Sequence, residues 1–342
     1  MNNAHLSRTM TPTFASAPGS NVKRLQSSPA IKTVVATLFA CTLGFTQVII
    51  SPVKPPVPGS DGPPPATLPA ADAAPLGDRA YMIEEARFAK LFVPGNKEAQ
   101  KHNGEMVAVD SAKHYLSLPR NVRPPFPSVL MLNDGRGIDD HSKLWADRLA
   151  ASGFVVLLVD LYNGKVASTD DEAIKLMQSV SANLPLAEAT LQSAFNFLAA
   201  NKRVEAKQRC VLGFGFGGEL ALQFAIAQPL LSATAIYYSR PVKELASLQA
   251  IQGPILSIFG TKDTRIPLAS IDAFSLSMQQ AGRDATVLRY DAERAFMNPA
   301  DPHYEQATAS LAWHELRAFL TAKLTNTAPA KLPAGTAQSP AK

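Results

Sequence analysis

From about Tyr81 the chain alternates short apolar, β-branched runs with longer stretches in which apolar residues recur at i, i+3 and i+4. "VLMLN" (129–133), "FVVLLVD" (154–160), "CVLGF" (210–214), "ATAIYY" (233–238), "PILSIFG" (254–260) and "ATVLRY" (285–290) are the predicted strands. They are nearly continuous apolar runs, as expected of parallel strands covered on both faces. Between them, "DHSKLWADRLAAS", "AEATLQSAFNFLAA", "GGELALQFAIAQ" and "LASIDAFSLSMQQAG" carry helical spacing, and a last helix is predicted near 304–323. Strand and helix in repeated alternation predict an α/β, mostly parallel, doubly wound sheet with helices on both faces. Ligands of such sheets gather at the carboxyl ends of the strands. The residues just past those ends are therefore the ones to read for function: Asp134 and Gly135, Asp160 to Tyr162, Phe214 to Phe216, Ser239 and Arg240, Thr261 to Asp263, and Glu293 to Phe296.

The pattern breaks before residue 81. Residues 1–32 are polar and basic and are expected to be a disordered tail. "TVVATLFACTLGFTQVII" (33–50) then runs 18 residues without a charge, close to the roughly 20 that span a bilayer. The following segment, 51–80, opens with nine prolines in 25 residues and reads as an extended linker. No A-x-A cleavage site ends the apolar run, so an uncleaved anchor is expected, with secretion after signal cleavage as the alternative. The basic flank precedes the span, which places the linker and domain (81–325) on the non-cytoplasmic side. Residues 326–342 read as a second disordered tail.

Composition removes several functions. The chain's formal charge is +5, but residues 81–325 hold 25 basic and 25 acidic side chains. A neutral domain with no basic stripe is not expected to bind nucleic acid. The chain's two cysteines, Cys41 and Cys210, form neither a disulfide frame nor a metal-type spacing, so no metal site is expected.

"VLGFGFGGEL" (211–220) admits two chemistries. Gly213, Gly215 and Gly218 spell G-x-G-x-x-G, a dinucleotide fingerprint, yet that site needs an acid about 20 residues on, and 220–240 contains none. The same letters fit a nucleophile elbow, G-x-Nuc-x-G, with the reactive residue at 215. Elbow folds deliver nucleophile, acid and histidine in that order at successive strand ends. "GTKDTRIP" supplies an acid, Asp263, directly after a strand, and "YDAERAFMN" follows the next one.

These segments resemble the dienelactone hydrolase family of α/β-hydrolases. "LNDGRGIDDHSKLWADRLAASGFVVLLVDLYNGK" is similar to its oxyanion-loop segment, and "GFGFGG" stands where the family has G-x-C-x-G-G. "GTKDTRIP" matches its acid turn, and "YDAERAFMN" matches its histidine turn, Y-x-A-x-H-x-F-x-N. The resemblance covers residues 125–322 and implies ester or lactone hydrolysis of small molecules without a cofactor. Carried across, the nucleophile position is Gly215, the acid is Asp263, and the histidine position is Arg294. Asp134 takes the place of an acid that controls the nucleophile, and the N–H groups of Gly135 and Phe216 would be the oxyanion donors.

Glycine has no nucleophilic atom, and a guanidinium stays protonated, so two of the three triad positions cannot work. The expectation is a catalytically impaired, membrane-tethered domain that keeps a pocket for a small carbonyl or carboxylate ligand or a protein partner. The alternative is an active ester or lactone hydrolase with relocated residues. Binding would fall to Asp134, Gly135, Phe216, Tyr238 and Phe296, and Arg294 is expected to pair with Asp263, with Asp134 as its competitor. Among substitutes, Cys210 lies on a strand and reads as a buried thiol, and Ser239 has no base placed for it. His141 flanks a helix start, and His303 follows the lost histidine.

Overall fold

The computed structural model describes residues 76–92, 101–120 and 123–325. The expected tails, the apolar segment 33–50 and most of the linker lie outside them. Among the described residues no helix is long and apolar enough to cross a membrane.

The chain opens with α1 (Leu76–Lys90), which begins inside the segment read as linker. A hairpin follows, β1 (Glu105–Val109) and β2 (Ala112–Ser117), and then the alternation begins: β3 (Phe126–Leu132), α2 (Asp140–Ala151), β4 (Val155–Leu158), α3 (Asp170–Ser181), α4 (Leu184–Ala200), β5 (Val204–Phe214), α5 (Phe216–Ala227), β6 (Ala233–Tyr237), α6 (Leu245–Ala250), β7 (Ile255–Gly260), α7 (Leu268–Gln280), β8 (Ala285–Tyr290) and α8 (Gln306–Leu324). The eight strands form one sheet in the order β1-β2-β4-β3-β5-β6-β7-β8. β1, β2 and β4 pair antiparallel and the remaining neighbours pair parallel. This is the architecture of the α/β-hydrolase fold.

The apolar runs are explained by two cores. Successive strand residues point to opposite faces, so in β3 Leu130 and Leu132 enter the core beneath α4, α5 and α7, whereas Val129 and Met131 enter the one beneath α1, α2 and α8. β4 divides in the same way, Val155 and Leu157 against Val156 and Leu158. Helix starts are set by local polar groups. Asp139 caps α2 by accepting from the Ser142 N–H at 2.8 Å, and Thr169 with Glu172 forms a capping box at α3.

α1 is held on by charge as well as by apolar contact. Arg148 of α2 lies 2.7 Å from the fully buried Glu85, a close charge contact rather than an aligned hydrogen bond. Its guanidinium is sandwiched between the rings of Phe88, at 4.3 Å, and Trp313, at 4.0 Å. Glu84 accepts from Trp313 Nε1 and Arg317, and Glu85 accepts from the Tyr304 hydroxyl, each at 2.7 Å.

Candidate functional site

The carboxyl ends of β3, β5, β6, β7 and β8 bring Asp134, Gly215, Tyr238, Asp263 and Arg294 into one cluster. Gly215 joins β5 to α5 with φ +53° and ψ −117°. A side chain in that conformation costs roughly 1–3 kcal/mol of backbone strain, and glycine escapes most of it. Its N–H donates to the Tyr237 carbonyl at 2.9 Å, which ties the turn to β6. Gly213 and Gly218 are required for a different reason, since a Cβ on the first would lie 2.3 Å from the Gly217 carbonyl oxygen and one on the second 2.9 Å from the Gly213 carbonyl oxygen. The glycine spacing that resembles a cofactor fingerprint is therefore the imprint of a tight turn and of backbone packed on backbone.

Arg294, from the loop after β8, reaches across to the elbow. Its Nη1 donates to the Tyr238 carbonyl at 2.7 Å and to the Asp263 carboxylate at 3.3 Å. The guanidinium carbon lies 5.5 Å from the centre of the Tyr238 ring. The other terminal nitrogen, Nη2, stands 2.7 Å from where a Cβ on residue 215 would be. The volume next to the elbow that a nucleophile's side chain would enter is taken by a cation. Both supports of this arrangement are strained, Tyr238 at φ +38° and Ala295 at φ +62°, as backbone at ligand-contacting and switch positions often is. Asp263, whose side chain is 1% exposed, also accepts from the Arg265 N–H at 2.8 Å. The contact expected between Asp263 and Arg294 is present.

Asp134 is engaged elsewhere. Its Oδ1 accepts from the Gly135 N–H at 2.6 Å and from the Arg136 N–H at 3.3 Å, so the carboxylate caps its own turn. One expectation is corrected here: the Gly135 N–H is not a free oxyanion donor, because the adjacent carboxylate already holds it. Met177 of α3 packs over the same loop, its Sδ 2.8 Å from where a Cβ on Gly135 would be. Phe216 is half-buried and is the first residue of α5, a position whose N–H has no acceptor within the helix. Phe296 is fully buried, with its ring against those of Tyr238 and Tyr290.

The sequence reading missed a small cavity beside the elbow. It measures about 20 Å³, and its lining includes Asn133, Asp134, His141, Trp145 and Tyr238. That is room for a single water-sized group. His141 Nε2 and Trp145 Nε1 are both buried without a hydrogen-bond partner among the described residues. Burial pushes the His141 pKa down, against the pull of Asp139, Asp134 and Asp301, so the ring is held neutral. The Phe92 ring packs edge-on against His141, and the Phe88 ring against Trp145. Only the i, i+4 spacing of His141 and Trp145 on α2 could have signalled the pair.

The substitute nucleophiles sit in structural positions. Cys210 is fully buried, and desolvation pushes its thiol pKa up. Ser239 is fully buried and donates its hydroxyl to the Tyr237 carbonyl at 2.8 Å. His303 is exposed and contacts Asp301 at 2.9 Å.

Comparison with known proteins identifies a family for the domain. A family model described as the dienelactone hydrolase family matches residues 112–324. A Methylorubrum extorquens protein named carboxymethylenebutenolidase is 27% identical over 207 residues, 56% of this chain and 71% of that one. Protein usf of Aquifex pyrophilus is 29% identical over 206 residues, 58% of this chain and 89% of the other. Among solved structures, a dienelactone hydrolase-like promiscuous phosphotriesterase from metagenomic libraries superposes with a TM-score of 0.59 at 20% identity. That match covers 65% of this chain and 98% of the other.

Proposed function

The chain belongs to the dienelactone hydrolase family, and from that premise we propose that its domain keeps the ligand-binding end of the hydrolase fold without the family's covalent chemistry. One observation carries the reading: Arg294 Nη2 stands 2.7 Å from the place of a Cβ on Gly215. A group that cannot accept a proton fills the space beside an elbow that has no nucleophile. The Arg294–Asp263 contact then fixes the β7 and β8 loops where the family holds its acid and base. What remains at the elbow is a donor set, the guanidinium Nη2 and the Phe216 N–H, suited to a carbonyl oxygen. Burial of Cys210 and Ser239 favours this reading over a relocated nucleophile. The domain is then a binding module, tethered to a membrane through residues 33–50 and placed on its non-cytoplasmic side.

The test is hydrolysis of a generic aryl ester by the full chain. The unmodified chain is expected to stay near the buffer rate, and so are Gly215→Cys and Arg294→His singly. The double variant regains a thiol, a base and the space between them, and is expected to turn over, because triad members act as a unit. Strong turnover by the unmodified chain, abolished by Ser239→Ala or Cys210→Ala, would replace the binding module with a relocated hydrolase. Anchoring is checked by fractionation: soluble protein beginning after residue 50 would establish secretion instead.

A further inference from the structure

The small cavity beside the elbow has a chemistry of its own. Trp145 Nε1 can only donate, and the neutral His141 ring has one donor and one acceptor nitrogen. Both residues line the cavity, their ring nitrogens His141 Nε2 and Trp145 Nε1 are buried without a hydrogen-bond partner among the described residues, and Trp145 as a whole is 1% exposed. A group that satisfies both must accept from the indole while donating to or accepting from the imidazole. An ammonium has no lone pair for the indole. A carboxylate would face Asp134 and Asp139, which also line the cavity, and two oxygens exceed a space of about 20 Å³. A hydroxyl fits, since it accepts from Trp145 and can donate to His141.

The cavity adjoins the donor set at the elbow. Asp134, which lines it, has its Cβ 3.3 Å from where a Cβ on Gly215 would be, and Arg294 Nη2 lies 2.7 Å from that same point. Around the point stand two carboxylates, Asp134 and Asp263, against one guanidinium. The balance is negative and opposes an anionic ligand, while a neutral carbonyl oxygen can still accept from Nη2. Resting on the binding-module reading, we propose that the site takes a small neutral hydroxy-carbonyl compound, its carbonyl oxygen at Arg294 Nη2 and its hydroxyl in the cavity between His141 and Trp145. Phe88 and Phe92 back these two rings edge-on.

The chain's two tryptophans make the test direct. Trp313 Nε1 is already committed to Glu84 at 2.7 Å, so its indole signal is an internal control. The full chain, labelled with ¹⁵N at tryptophan, is titrated with hydroxyacetone, acetone and glycolate. Hydroxyacetone is expected to shift the Trp145 indole resonance saturably and leave Trp313 unmoved. It should bind about tenfold more tightly than acetone, the worth of one hydrogen bond, and more tightly than glycolate. His141→Phe keeps the ring and is expected to erase the preference over acetone, while Arg294→Met weakens both ketones. Equal binding of the two ketones, both sensitive to Arg294→Met, would overturn the hydroxyl subsite, leave the cavity to a resident water and preserve the binding module. No saturable shift with any of the three compounds would remove both.

Discussion

The placement of Arg294 against the elbow makes an energetic claim that a double-mutant cycle can measure. Gly215→Ala adds one methyl to a residue at φ +53°, which costs roughly 1–3 kcal/mol in any background. In the native background the methyl also lands 2.7 Å from Arg294 Nη2, so the guanidinium must withdraw. Withdrawal gives up the 2.7 Å bond to the Tyr238 carbonyl and the 3.3 Å contact with Asp263. A hydrogen bond to a charged group is worth about 1.5–3 kcal/mol, so the total is expected at about 2.5–6 kcal/mol. In an Arg294→Ala background the backbone strain remains, with a 3.3 Å approach to the Asp134 Cβ that is common to both backgrounds. The coupling between the positions should then be about 1.5–3 kcal/mol, read from guanidinium chloride unfolding with unchanged m-values. If Gly215→Ala costs the same in both backgrounds to within about 0.5 kcal/mol, Arg294 does not occupy the elbow in solution and the argument for a filled nucleophile position fails.

Other consequences are open to direct measurement. Asp263→Asn removes a carboxylate that is 1% exposed and should cost more than the roughly 0–1 kcal/mol of a surface pair; a smaller loss on denaturation would show that the two loops are fixed without it. Glu85→Gln leaves the buried Arg148 with only Glu84, at 3.5 Å, as counter-charge and is expected to cost about 1–3 kcal/mol, below the roughly 3–5 of a fully unpaired buried charge, with proteolysis between α1 and β1 as the readout. An unchanged melting curve and cleavage pattern would count against the clamp. The pKa values of His114 and His141 are pushed down by burial from an ordinary 6.5. Below that value the unfolded chain takes up protons that the native state refuses, so stability present above pH about 6.5 should be lost as pH falls toward the depressed native values. Stability that rises on acidification through this window would contradict the neutral burial of both rings.

The parts of the molecule that the sequence announced are those with local causes. β3 to β8 showed themselves because both faces of each strand enter a core. Gly215, Asp263 and Arg294 could be located because their turns have fixed motifs. The β1–β2 hairpin was passed over because β1 is a short edge strand with four of its five residues at least partly exposed. α3 escaped notice because only Ala173 and Val180 are buried. α1 lay partly within the segment read as linker, and its fastening depends on α2 and α8, which are distant in sequence. The Gly135 N–H was misassigned because motif transfer cannot show that the preceding carboxylate turns back on it. The cavity at His141 and Trp145 was invisible because it exists only where α2 meets the ends of β3, β5 and β6.

The fastening of α1 also determines how the domain meets a pull from its N-terminal side. Such a load enters at a helix held by side chains, through Glu84, Glu85 and Phe88, and not at a strand laced into the sheet. Side-chain contacts yield one after another, whereas strand hydrogen bonds sheared in parallel resist together. α1 would therefore peel first, and its 15 residues, drawn out from about 1.5 Å to about 3.4 Å each, would release roughly 30 Å of slack. Peeling would also take Phe88 and Phe92 off Trp145 and His141, so tension on the chain would reach the cavity before it reached the sheet.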